Sequence, residues 1–216
     1  ISSINQFSNS QNIEILALDN GCPETTGQLL EDLSKEIPSL SIFHADHSLG
    51  DGAAKNILIK KSSGKFFVLL DTSVEITGEF LSKIQNILSD ISIGITGFAG
   101  LRTPDLMHFH DGDGESGQMD AMQGYCFAFR RDDVSNVGLM RESFRFYRNL
   151  DIDYSFQFKN KGYKIYADNH LPMILHEHRG WTSLTETDRD ELSRKNYGRF
   201  LKKWRNRSDL LISERQ

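Results

Sequence analysis

A chain of 216 residues, 38% hydrophobic and 25% charged, has room for one globular domain with a sizeable core and little for a second. A formal net charge of -5 excludes a general nucleic-acid binder, which needs a basic face against the phosphate backbone. The two cysteines, Cys22 and Cys126, are too few for a disulfide scaffold and lack zinc-site spacing, which points to a reducing cytoplasm. The longest apolar run, Phe66 to Leu70, is far short of the roughly 20 residues of a membrane-spanning helix. With neither a signal peptide nor an initiating Met, the sequence is expected to begin part-way into a longer product that can carry further domains.

In chain order, residues 13–18 read as a buried strand that halts at Asp19-Asn20-Gly21. Leu29, Leu30, Leu33 and Ile37 fall at helical spacing before Pro38, and residues 40–43 form a second strand. The stretch from His47 to Asn56 passes from a glycine turn into small residues and opens a helix. Residues 65–70 make a third strand ending at Asp71, followed by a helix over 78–88 and a strand over 91–98. Residues 108–119 are glycine-rich and acidic and read as a mobile surface loop. Its His108, His110, Asp111, Asp113 and Glu115 lack the rigid spacing of a metal site. A strand over 124–129, a helix over 152–159, a strand over 163–166 preceding Pro172 to His176, and a helix from about 186 complete the chain. The alternation predicts an α/β fold with a mainly parallel mixed sheet, helices on both faces, and ligands at the carboxyl ends of the strands, where Asp19 and Asp71 fall. We expect one domain over 1–185, with a basic helix over 186–216 packed on it or extending it. That helix carries Arg194, Lys195, Arg199, Lys202, Lys203, Arg205 and Arg207, which could touch a membrane surface or an anionic donor.

The segments ILALDNG, SLGDGAAKN, SGKFFVLLDTS, QGYCFAFRRDD, NLDIDYSFQFKNKGYKIY and LHEH, in this order, resemble the signature segments of family 2 glycosyltransferases across nearly the whole chain. The resemblance implies the GT-A fold, Rossmann-like, and transfer of a sugar from a nucleoside diphosphate such as UDP to a hydroxyl of a saccharide, lipid-linked or protein acceptor. It further implies inversion and a place in the making of cell-wall polysaccharide or other glycans. By the same match Asp19 and Asn20 hold the nucleoside, a carboxylate being a strong acceptor for base N–H or ribose hydroxyls. Gly50, Lys55 and Asn56 approach the diphosphate. Asp71 faces the ribose and, with Ser73 and His176, holds a divalent Mg or Mn. Ser73 stands where the family carries the second carboxylate of its Asp-x-Asp pair, and serine is the poorer ligand. Asp151 is the base that takes the acceptor's proton. Gly124, Tyr125 and Asp153 line the donor or acceptor pocket, and His178 is a second imidazole two residues beyond His176.

Each of these residues has a purely structural alternative. Asp19 can serve a tight turn, residues 50–56 a helix entry, Asp71 a strand-end cap, and Asp151 and Asp153 the first turn of a helix. Ser73 and Leu150, each standing where the family has an acidic residue, support the alternative of a non-catalytic binding or assembly module. So does the missing opening strand, which leaves a place in the sheet to be filled. A dinucleotide-dependent oxidoreductase would need a glycine fingerprint directly after a strand, and residues 19–23 do not supply one.

Overall fold

The computed structural model describes residues 1–8, 12–22, 24–112, 114–178 and 182–212. The apolar run Ile15–Asn20 forms β1, and it pairs in parallel with β2 (Leu40–Ala45), the register setting Asp19 opposite His44. Helix α1 (Ser2–Phe7) precedes them, and α2 (Glu24–Glu36) connects them. Ile15, Ile37 and Leu40 form a small core of their own under these elements. Among the described residues the β1–β2 ladder is not hydrogen-bonded to any other strand.

After α3 (Asp51–Lys61) come β3 (Phe66–Leu70), β4 (Val74–Ile76), α4 (Leu81–Leu88), β5 (Ile93–Arg102), β6 (His110–Asp111), β7 (Gly117–Met119) and β8 (Ala121–Arg130). Helices α5 (Arg131–Val137) and α6 (Leu150–Lys159), strands β9 (Lys164–Ala167) and β10 (Met173–Leu175), helix α7 (Glu186–Trp204) and a short 3-10 turn at Ser208–Leu210 follow. The main sheet runs β3-β8-β5-β9-β7, with β6 on β5, while β4 and β10 form a separate antiparallel pair. The sheet is mixed, as expected, but its pairings are mainly antiparallel. Among the described residues only β5–β9 is parallel within it, because β8, which continues in the direction of β7 after Asp120, lies antiparallel between β3 and β5.

Both faces of this sheet are covered. Along β8, Phe127 and Phe129 enter one core with Tyr154, Phe156 and Phe158 of α6 and Phe200 and Trp204 of α7. Cys126 and Ala128 point the other way, against Ile84 and Leu88 of α4. Period-two alternation with both faces buried is why residues 124–129 read as a continuous apolar run. Parts of the stretch expected to be a loop, 108–119, are instead the short strands β6 and β7, held by the backbones of β5 and β9. Asp113, one of its acidic residues, lies outside the described residues. Among the described residues no helix is long and apolar enough to cross a membrane.

Candidate functional site

Strand β3 ends on Asp71, whose amide N–H donates to the Tyr125 carbonyl on β8 (3.0 Å). Its Oδ1 accepts from the Ser73 amide (2.8 Å) and the Ser73 hydroxyl (2.6 Å), and its Oδ2 lies 3.1 Å from His178 Nε2. The His178 ring stacks on Tyr147, with centroids 4.1 Å apart and planes 19° from parallel. Burial pushes the Tyr147 hydroxyl up to about 12; the fields of Tyr125, Asp71 and Asp151 add to this and that of Arg148 opposes it.

The neighbouring β8 residue holds the second carboxylate. Gly124 N–H donates to Asp151 Oδ2 (2.8 Å), and the Ile152 amide donates to Oδ1 (2.9 Å). Burial raises the Asp151 pKa above the ordinary carboxylate value, against those two N–H donors and the Lys55 cation. Consecutive residues of one strand, Gly124 and Tyr125, thus anchor the Asp151 carboxylate and the Asp71 backbone. The loop before α6 is held from behind: Asn196 Nδ2 on α7 donates to the carbonyls of Phe146 (2.8 Å) and Arg148 (2.9 Å), bracketing Tyr147. Asn149 adopts the left-handed conformation, φ 67°, which asparagine tolerates, and donates to the Ser193 carbonyl (3.2 Å).

At the end of β1, Asp19 is nearly buried. Its Oδ1 accepts from Cys22 N–H (2.9 Å), which leads in lowering its pKa, and its Oδ2 lies 3.3 Å from His44 Nδ1. Asn20 Oδ1 accepts from Leu49 N–H (2.8 Å) and so ties down the loop that enters α3.

Other expected site residues serve the chain itself. The α3 amides of Asp51 and Gly52 donate to the carbonyls of Arg145 and Phe144 (both 3.0 Å). A Cβ on Gly50, at φ +89°, would meet Arg145 Cα at 2.9 Å. The small residues at this turn therefore admit the 141–145 segment, and that segment occupies the amides a diphosphate would use. Asn56 is buried and exchanges two hydrogen bonds with the Met140 backbone (2.9 and 3.0 Å), with a third to Glu142 (3.1 Å). Lys55 is paired with Asp51. Asp153 has no exposed surface: Arg141 grips both its oxygens (2.9 and 2.6 Å), and Trp204 Nε1 (2.8 Å) and Gln157 (3.2 Å) complete the set. It lines no pocket.

Alternation along an extended chain would put His176 and His178 on one face. Strand β10 ends at Leu175, so alternation does not reach them. His176 turns to Glu75 at the surface (2.7 Å), and His178 is the imidazole at Asp71. Among the described residues no three His, Cys, Asp or Glu side chains gather as a metal cage. Asp71 and His178 offer one carboxylate and one imidazole, enough for a hard divalent cation that takes its remaining ligands from phosphate and water. Ser73 serves Asp71 as a hydrogen-bond donor. Tyr147, His44 and Asn196 went unread in the sequence, where no motif flags an aromatic, a histidine or an asparagine that acts through a neighbour.

A family model described as glycosyl transferase family 2 matches residues 1–138. That match begins at residue 1, so the expected absence of a first strand is not confirmed. In structure the chain is similar to GalNAc-T7 solved with UDP, GalNAc and Mn2+, with a TM-score of 0.77, 16% identity, and coverage of 94% of this chain and 45% of that one. It is similar to the mannosyltransferase PcManGT from Pyrobaculum calidifontis in complex with GDP-Man and Mn2+ (TM-score 0.66, 14% identity, 84% of this chain and 53% of that one). Residues 1–349 of S. aureus TarS give a TM-score of 0.61 at 14% identity, over 95% of this chain and 68% of that one. At these identities the likeness establishes the GT-A fold, and the chain spans about half the length of the first two. No curated protein matches the sequence.

Proposed function

Because this chain belongs to glycosyl transferase family 2, we propose that it moves a sugar from a nucleoside diphosphate of the UDP type to a hydroxyl on a saccharide, lipid-linked or protein acceptor, in the making of a polysaccharide or glycan. One observation carries the proposal: Asp71, at the end of β3, and Asp151, at the start of α6, are both anchored to β8 and both act on the Tyr147 hydroxyl in the charge balance of the site. In this reading Asp19 accepts hydrogen bonds from the nucleoside, as the charged acceptor at the end of β1. Asp71 and His178 face the diphosphate, and Tyr147 keeps the His178 ring in place. Asp71 and His178 would hold a Mg or Mn ion, which would supply neutralising charge for the leaving group.

Asp151 accepts the acceptor's hydroxyl proton as its oxygen bonds to the anomeric carbon and the bond to diphosphate breaks, giving inversion. Burial suits it to this work, since a carboxylate of raised pKa is the stronger base. The cytoplasm, where nucleotide sugars meet a reducing environment, is the proposed place of action.

Calorimetric titration of UDP, GDP and dTDP sugars, with and without Mn2+, tests the donor site. The expected result is Mn2+-dependent binding by wild type that Asp71→Ala abolishes; no binding under any condition sinks the proposal. A second reading, a module that binds without turnover, draws on the two-sided role of Ser73: it occupies a carboxylate's place and spends its hydroxyl proton on Asp71. Donor binding without sugar transfer to any acceptor hydroxyl would favour it.

A further inference from the structure

His44 stands between two carboxylates. Its Nδ1 is 3.3 Å from Asp19 Oδ2 on β1, and its Nε2 is 2.7 Å from Glu31 Oε1 on α2. A neutral imidazole has one N–H, so it can donate to only one of these acceptors, and its bare nitrogen would aim a lone pair at the other. Both contacts are satisfied together only by the imidazolium. Asp19 Oδ1 is already taken by Cys22 N–H, so the ring decides where Oδ2 points. A Cβ on Gly27 would come within 3.1 Å of that same oxygen, which shows how closely α2 approaches it.

We propose that His44 is a positioning residue for the nucleoside end of the donor: doubly protonated, it holds the Asp19 carboxylate in the orientation that accepts hydrogen bonds from a nucleobase N–H or a ribose hydroxyl. This rests on the reading of Asp19 given under the proposed function. The Glu31 contact is the shorter, so a ring that loses one proton keeps the N–H on Nε2. Nδ1 then turns a lone pair on Asp19 Oδ2, and the carboxylate swings away. The His44 side chain is 45% exposed and exchanges protons freely with solvent.

The charged groups facing the ring are Glu31 from α2 and Asp19 from β1; the Cys22 thiol, whose pKa is raised first by burial and then by Asp19, also hydrogen-bonds the Asp19 carboxylate. Glu31 first, then Asp19, raises the His44 pKa above the ordinary histidine value. A cation held by its partners in this way is present at pH below that raised pKa and lost as pH climbs through it. Donor affinity therefore falls with rising pH.

The test is calorimetric titration of UDP with Mn2+ between about pH 6 and about pH 9 on wild type, His44→Gln and Glu31→Gln, with the thermal midpoint of each recorded at every pH. Wild-type affinity is expected to weaken about tenfold across the range, the scale of one charge-assisted hydrogen bond. His44→Gln should bind weakly with a profile showing only the ligand's own titration. Glu31→Gln should keep the fall but move its midpoint to lower pH, which a purely structural role for the cluster would not do. A flat wild-type profile, or an unmoved midpoint in Glu31→Gln, overturns the inference while leaving the donor site standing. No UDP binding by wild type at any pH overturns the proposed function, and this inference with it.

Discussion

Asp151 shows how much one side chain's surroundings decide. Its two oxygens accept from Gly124 and Ile152 amides, yet burial outweighs those donors and raises its pKa. A base must be ionised to act, so turnover is expected to fall as pH drops through that raised value. The acid limb of a pH–rate profile should therefore lie above the ordinary carboxylate range, and a limb at or below that range would exclude Asp151 as the base. Asp151→Asn should lower kcat by about 10²- to 10⁴-fold with donor affinity kept. Asp153, two residues on, behaves oppositely: Asp153→Ala strands the Arg141 charge and the Trp204 N–H and should cost about 3–5 kcal/mol in urea unfolding. Both carboxylates look alike in the sequence, as acids in the first turn of a helix. Asp71 and Asp151 were legible because each ends or begins an element that its apolar pattern marks. Asp153 was not, because its partners lie 12 and 51 residues away. For the same reason His178 was passed over for His176: its partner Asp71 lies 107 residues away.

Elements carry the site through contacts that bypass it. Helix α3 is locked to the segment near residue 140 by Asn56, whose amide replaces a missing backbone partner for Met140 across 84 residues. Asn56→Ala leaves those buried groups unpaired and should cost about 2–3 kcal/mol by denaturant titration. Helix α7 supports the loop carrying Tyr147 through Asn196 in the same manner. Asn196→Ala is expected to loosen Tyr147 and with it His178, weakening Mn2+-dependent UDP binding; unchanged UDP affinity in a folded Asn196→Ala protein would remove α7 from the account. Helices α2, α3, α4, α6 and α7 and most strands could be read from apolar spacing; α1, α5 and the short strands β4, β6 and β7 could not. The direction of β8 could not, because alternation reports which residues are buried and is silent on strand polarity.

At the scale of the whole molecule, α7 belongs to the principal core. Phe200 has no exposed surface and Trp204 almost none, both packed on Phe156. Deleting the chain after residue 185 would bare that core, since each large aromatic lost costs about 3–5 kcal/mol. The shortened protein is expected to be insoluble or molten by near-UV circular dichroism. A sharp, cooperative melt would instead show that 1–185 stands alone.

The β1–β2 ladder has a different standing. Among the described residues it shares no strand hydrogen bonds with the main sheet and rests on three buried residues of its own, while Ile4 of α1 packs on both that cluster and the one beneath α4, and Asn20 and Glu14 tie it to the loops flanking α3. A unit with so small a core of its own is expected to open before the rest. Its amides are expected to exchange with deuterium well before those of β5 and β8, and a nucleotide seated at Asp19 should slow them selectively. Part of the donor's binding energy would then go into closing the subdomain that recognises it.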